Sequence, residues 1–425
     1  MTTDDDPARV FDRRRFVTLA GAGAGLAAAV QLVGAGTVHA APATPVNVGV
    51  MTPTGASYSA MGQSMFDGLT LGFDEARSGA VGINATMVRR DVDRGYGGAA
   101  STATSLLDGG ADVVVAGVSA LVANRLGPLF VGRQASLVVA NVGAHVVTPA
   151  SKSTNVVHNS LLYWHASYAS GRWAAANLGR TAFIASCQRD SGYDTIYAFR
   201  RGFESMGGTI VGDAVTHIDP ADDGLAALFG AVRSSGASVL YGLYSGSSAS
   251  TFVQSYASSG GGATLVAGSL AVEDYMLPAI GAPASGVANC ATWTAGRATR
   301  ASQNFARAFS ARFGRSPDPF AVLGYDTAAL VAEGVRRAVK NGIGQRRLCE
   351  TLAGASIASP RGQLVVDPAT NTVTGPVWMR RVQRTASGLA NVDVAQLPVV
   401  TSFPRELSPL SAGPVAGYLN EYLCA

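Results

Sequence analysis

The sequence predicts an α/β protein, and three observations predict it. Short Val-rich strands alternate with helix-period segments from Val46 onward, the strands end near Gly, Asp or Asn, and the alternation restarts after about residue 160. Alternation of this kind builds parallel sheets flanked by helices, and a restart means two of them.

In the first run, strands are expected at 47–51, 86–91, 112–117 and 137–141, with helices in the gaps. The helix over 61–77 places Met65, Leu69, Phe73 and Ala76 on one face, the spacing of a half-buried helix, and 121–133 reads as a similar packing helix. The second run reads helix 160–178, strand 181–187, helix 193–206, strand 209–216, helix 223–234, strand 238–241, helix 249–258, strand 264–267 and strand 287–294. The last part returns to helices at 300–313, 320–340 and 346–352, then strands at 362–366 and 376–383, and ends in a tail rich in Pro and Ser. Parallel strands place ligand sites at their carboxyl ends, so two such sheets offer two facing rims. A ligand recruited by one lobe and covered by the other implies hinge closure.

The compartment is read from residues 1–42. Arg13, Arg14 and Arg15 precede a Gly- and Ala-rich apolar stretch from Leu19 to Val38, and Val38-His39-Ala40 offers a small-x-small cleavage pattern. The paired arginines predict twin-arginine export, with an ordinary secretory signal or a membrane anchor as the alternatives. No cysteine follows the cleavage pattern, so a lipid anchor is not expected and a freely diffusing periplasmic protein is. What remains after cleavage is long enough for two lobes.

Net charge is +4, with 14% of residues charged, and Lys and Arg form no long run outside the N-terminal segment. Without a basic stripe interleaved with aromatics, nucleic acid is discounted. Cys187, Cys290, Cys349 and Cys424 form no C-x-x-C pair. In an oxidising compartment they allow three disulfide pairings, of which Cys290 with Cys349 is preferred; buried free thiols are the alternative.

Several kinds of chemistry lack their residues. Gly242-Leu243-Tyr244-Ser245-Gly246 puts Tyr where a nucleophile elbow needs Ser. The histidines after the export segment, His145, His158, His165 and His217, stand in no recognisable triad context. Gly260-Gly261-Gly262 precedes a strand instead of opening a helix, which is backwards for a phosphate loop, and no metal-ligand spacing appears. No cofactor or metal is expected. Small polar residues do follow the strands, at 50–58, at Gly117-Val118-Ser119-Ala120 and at Asn141-Val142-Gly143-Ala144-His145. Backbone N–H groups at such places hold a carboxylate without any lysine, although strand ends and helix caps use the same residue types.

Five segments in order carry a resemblance. They are Val48-Gly49-Val50-Met51-Thr52-Pro53-Thr54-Gly55, Asp190-Ser191-Gly192-Tyr193 with Ala198 to Phe203, Met206 to Gly212, Gly324-Tyr325-Asp326-Thr327-Ala328, and Pro376 to Val382. Together they resemble periplasmic binding proteins of the leucine/isoleucine/valine type, the receptors of branched-chain amino acid ABC importers. The resemblance covers nearly all of 46–385. It implies a two-lobed type I clamshell, each lobe a mainly parallel sheet flanked by helices, with three crossovers near Val157, Trp293 and Val377. The lobes would then comprise 45–157 with 293–377, and 158–292 with 378–425, after a signal segment over 1–40.

The resemblance implies site residues as well. Tyr58 matches the first-loop aromatic, Ser119 with Ala120 the hydroxyl loop, Ala144 with His145 the second amide loop, and Tyr193 and Tyr244 the closing aromatics. The acidic residue that pairs with an amino acid's ammonium falls at about Ser269-Leu270, where neither side chain carries charge. An unpaired buried ammonium is expensive, so the expected ligand is a carboxylate without an amine, an aromatic acid, an amide or a urea-like solute, unless Glu273 or Asp274 shifts into place. The implied protein is a non-enzymatic, monomeric receptor delivering a small polar or carboxylated solute to the membrane permease of an ABC importer. A sensor module of the same fold is the alternative, and a secreted hydrolase only if His145 or His217 stands beside a carboxylate.

Overall fold

From Thr44 the chain lays down β1 (Thr44–Pro53), α1 (Ser59–Arg77), β2 (Ile83–Val92), α2 (Gly95–Asp108), β3 (Val113–Ala116), α3 (Ala120–Gly132), β4 (Ser136–Asn141) and β5 (Val156–Ser160) in a computed structural model. The structure describes residues 43–53, 58–78, 82–92, 95–190, 194–217 and 222–398. These five strands are all parallel, in the order β2-β1-β3-β4-β5. β3 is buried along its whole length and β4 nearly so, which explains their unbroken Val and Leu runs: helices cover both faces.

A second unit of the same design follows, with α4 (Tyr163–Asn177), β6 (Thr181–Cys187), α5 (Thr195–Ser205), β7 (Thr209–Thr216), α6 (Asp222–Ser234), β8 (Val239–Leu243), α7 (Gly246–Ser258), β9 (Thr264–Ala267), the short α8 (Leu277–Ile280) and β10 (Ala288–Ala291). Its parallel order is β7-β6-β8-β9-β10. The chain then returns to the first lobe with α9 (Arg300–Phe313), α10 (Pro319–Lys340), β11 (Ser356–Ser359), β12 (Gly362–Asp367) and β13 (Thr372–Thr374), and rejoins the second with the antiparallel β14 (Val377–Thr385) and β15 (Gly388–Leu397). Among the described residues the first sheet thus has eight strands and the second seven.

α10 packs along α1 at a distance that only glycine allows. A Cβ at Gly68 would stand 2.0 Å from the Ala321 carbonyl, and one at Gly324 would stand 2.0 Å from that of Met65. Each helix therefore presents a glycine to the other's backbone.

Among the described residues the chain crosses between sheets three times, at 160–163, 291–300 and 374–377, and three buried arginines bind these strands of chain together. Arg361 donates to Asp326 (2.6 Å) and to the Ser160 carbonyl (2.7 Å) beside the first crossing. Arg380 donates to the Trp293 carbonyl (2.7 Å) in the second and meets Glu273 with both terminal nitrogens (2.8 and 3.1 Å). Arg297 donates to the Thr292 carbonyl and to Asp393, and its guanidinium lies 4.5 Å over the Trp378 ring at the third.

The sequence reading differs from this structure at several points. β5, β11, β13 and β15 are additional strands, and the helix expected to start at residue 160 begins at Tyr163. The helix expected over 346–352 is a 3-10 segment, Gln345–Thr351, with non-helical geometry at Arg347. The Cys290–Cys349 disulfide does not form: Cys290 lies in β10 in the core of the second lobe and Cys349 in that of the first, and both are buried free thiols, as is Cys187. Cys424, the export signal and its cleavage pattern lie outside the described residues.

Candidate functional site

In each sheet the strand order reverses beside its first strand, between β1 and β3 in one and between β6 and β8 in the other. The loops leaving the carboxyl ends of those four strands flank the crevice where open α/β sheets bind ligands. Three adjoining cavities occupy this place, sharing the loop after β4. One is walled by Pro53, Tyr58, Met61, Met65 and Phe320 with Asn141 and Val142. A second is bounded by Ser119, Ala120 and 141–145. The third spans the lobes, from Val142 and Ala144 to Tyr163, Asp190, Thr195, Leu243, Tyr244, Ser245 and Leu270.

The first-lobe floor is rigid for local reasons. Ser119 caps α3, its hydroxyl oxygen accepting from the Val122 N–H at 3.2 Å. The opening N–H groups of α3 beside it have no partner within the helix and carry its positive dipole end. The Asn141 side chain ties the two loops together, donating to the Val118 carbonyl and accepting from the Gly143 N–H, both at 2.9 Å. Gly143 has φ +70°, and a Cβ there would stand 2.4 Å from the Ser160 hydroxyl, so glycine is required twice over. The result is an uncharged cradle of amides and hydroxyls suited to a carboxylate.

The second-lobe wall is aromatic and acidic. Tyr244 is buried with its ring stacked on Phe252 (centroids 4.0 Å apart) and its hydroxyl bonded to that of Thr216 (3.2 Å), so it is a fixed wall. Asp190 is held by the Ser245 hydroxyl (2.9 and 3.0 Å) and the Cys187 thiol (3.1 Å), and burial pushes its carboxyl up. Leu270 lines the third cavity and also packs against the core cluster of the first lobe.

A polar contact bridges the lobes directly. His145 Nδ1 lies 2.9 Å from Asp194 Oδ2, with side-chain exposures of 6% and 3%. His145 leaves β4 and Asp194 precedes α5, so the pair forms only when the lobes are together.

All the sequence-predicted site residues that are described, Tyr58, Ser119, Ala120, Ala144, His145, Tyr244 and Leu270, line these cavities. Tyr193 lies outside the described residues. Of the two expected substitutes for the ammonium partner, Glu273 is clamped by Arg380, and Asp274 accepts from the Thr294 hydroxyl and the Asn391 backbone and side chain. Sequence reasoning missed Tyr163, Asp190, Thr195 and Ser245. Their signal is positional: Asp190 and Ser245 follow the carboxyl ends of β6 and β8, and Thr195 opens the next helix.

The periplasmic binding protein family matches this chain over residues 45–388. No curated protein sequence matches it. Among solved structures, an ABC transporter substrate-binding protein from Sphaerobacter thermophilus has TM-score 0.77 at 23% identity, covering 83% of this chain and 98% of its own. A solute-binding protein of an ABC transporter from Rhodopseudomonas palustris in complex with benzoate has TM-score 0.70 at 23% identity, over 84% of this chain and 97% of that one. The closed leucine-, isoleucine-, valine-, threonine- and alanine-binding protein from Brucella ovis has TM-score 0.70 at 14% identity, over 83% and 95%. At these identities the likeness is one of fold.

Proposed function

The chain belongs to the periplasmic binding protein family, and from that premise we propose that it captures a small carboxylic acid without an ammonium group, aromatic acids above all, and delivers it to an ABC importer. The single observation that carries this reading is that the acidic groups around the cleft are already engaged, Glu273 clamped by Arg380 and Asp190 held by the Ser245 hydroxyl and the Cys187 thiol, while Ser269 and Leu270 stand at the family's ammonium-pairing position. The carboxylate is held by the α3 N-terminus, Ser119 and the loop of Ala144 and His145. The ring lies among Tyr58, Val142, Tyr244 and Leu270. The benzoate complex of the Rhodopseudomonas palustris protein supports the same ligand class.

Closure brings His145 to Asp194 and buries the ligand between the lobes, so release requires opening. The protein works in the periplasm as a monomer, exported through its twin arginines, and among the described residues no helix is long and apolar enough to cross a membrane. It returns its ligand chemically unchanged. His145 does stand beside a carboxylate, but the elbow position holds Tyr244, whose hydroxyl is bonded to Thr216, and the pair spans two lobes that must part in every cycle.

A thermal-shift screen tests the ligand class. Benzoate and related amine-free acids should raise the melting temperature, since a ligand at ~100 times its dissociation constant adds about 2.7 kcal/mol. Stabilisation by leucine and not by these acids would reverse the assignment.

A further inference from the structure

In the cavity between the lobes nearly every polar side chain is satisfied by the protein. The Ser167 hydroxyl bonds that of Tyr241 (3.0 Å), Ser269 donates to the Cys290 carbonyl (2.9 Å), and Ser245 donates to Asp190. Two are not. Among the described residues the Tyr163 hydroxyl and the Thr195 hydroxyl are buried without a hydrogen-bond partner, and both residues line this cavity at 6% and 2% exposure. A buried hydroxyl left unpaired is destabilising, and two in one cavity are a standing penalty unless something arrives to meet them.

We infer that Tyr163 and Thr195 form a polar pole in the cavity between the lobes, which takes a hydroxyl or carbonyl oxygen of the ligand. The ligand is then a bipolar acid, with its carboxylate on the first lobe and an oxygen substituent at the far end of its apolar body. This rests on the carboxylate reading given under Proposed function. Tyr163 opens α4 at the first crossing and Thr195 opens α5 beside Asp194, so the pole assembles from two helix starts. Both hydroxyls donate or accept, which suits a phenolic oxygen, itself both donor and acceptor. Binding such a group gives a buried hydroxyl of the protein its partner, whereas an unsubstituted ring leaves both unpaired.

The experiment compares dissociation constants for benzoate, 3-hydroxybenzoate and 4-hydroxybenzoate by titration calorimetry, in the wild type and in Tyr163→Phe and Thr195→Val. In the wild type, the better hydroxybenzoate should bind about tenfold more tightly than benzoate, the worth of one to two net hydrogen bonds. That ratio should fall toward one in each variant. The unliganded variants should melt no lower than the wild type, because each loses only an unpaired hydroxyl. Equal wild-type affinities, a ratio kept in both variants, or a lowered melting temperature of both unliganded variants would overturn the polar pole alone. Binding of none of the three acids would overturn the carboxylate reading and this inference with it.

Discussion

Tyr244 illustrates how a residue can line a ligand site and still belong to the core. Stacked on Phe252 and bonded to Thr216, it is fixed before any ligand arrives, so Tyr244→Ala should reduce folding stability by about 3 kcal/mol, read as a fall in the denaturant midpoint, besides weakening binding. The cysteines give a second prediction at this scale. Burial pushes the thiols of Cys187, Cys290 and Cys349 up to about 12, so a thiol reagent at pH 8 should label none of them in the native protein and all three after unfolding. His158 gives a third. Burial in β5 pushes its imidazole down to about 4, against 6.5 in the unfolded chain. Below pH 6.5 the unfolded state binds a proton that the native state refuses, so stability is present above 6.5 and is lost as pH falls toward 4, by about 3 kcal/mol in all. His158→Leu should flatten the melting temperature over that range; an unchanged slope would mean that other groups set it.

Secondary-structure elements show why some of this was legible in the sequence and some was not. β6, β7, β9 and α9 fall where hydrophobic period and flanking turn residues placed them, because local patterning and tertiary burial agree there. β11, β13 and β15 are short or edge strands whose pairing is decided by partners far away in the chain, and no local period announces them. The same division holds in the site. Ser119 was legible from the small polar loop after its strand and from the family resemblance, whereas the Tyr163 and Thr195 pole depends on two helix starts lining one cavity. The arginines of the crossings belong here too, since Arg380 is an ordinary β-strand residue until Glu273 is seen to face it. Arg380→Met leaves Glu273 buried and unpaired and should reduce stability by about 3–5 kcal/mol, while adding Glu273→Leu should recover much of that loss. A double variant no better than the single would show that the Trp293 carbonyl and Asn289 contacts carry the effect.

For the molecule as a whole, the proposed function rests on closure, and the His145 to Asp194 contact is its direct marker. Asp194→Asn keeps the shape and removes the charge; it should speed ligand release with little change in association, because the pair forms only after the lobes meet. The two switch-point crevices, brought face to face by three crossings, explain why one chain devotes two sheets to one small ligand. Small-angle scattering of the exported protein, with and without saturating benzoate and leucine, tests the combined claim of closure and ligand class. Benzoate should reduce the radius of gyration and leucine should leave it unchanged; a contraction produced by leucine and not by benzoate would contradict the account.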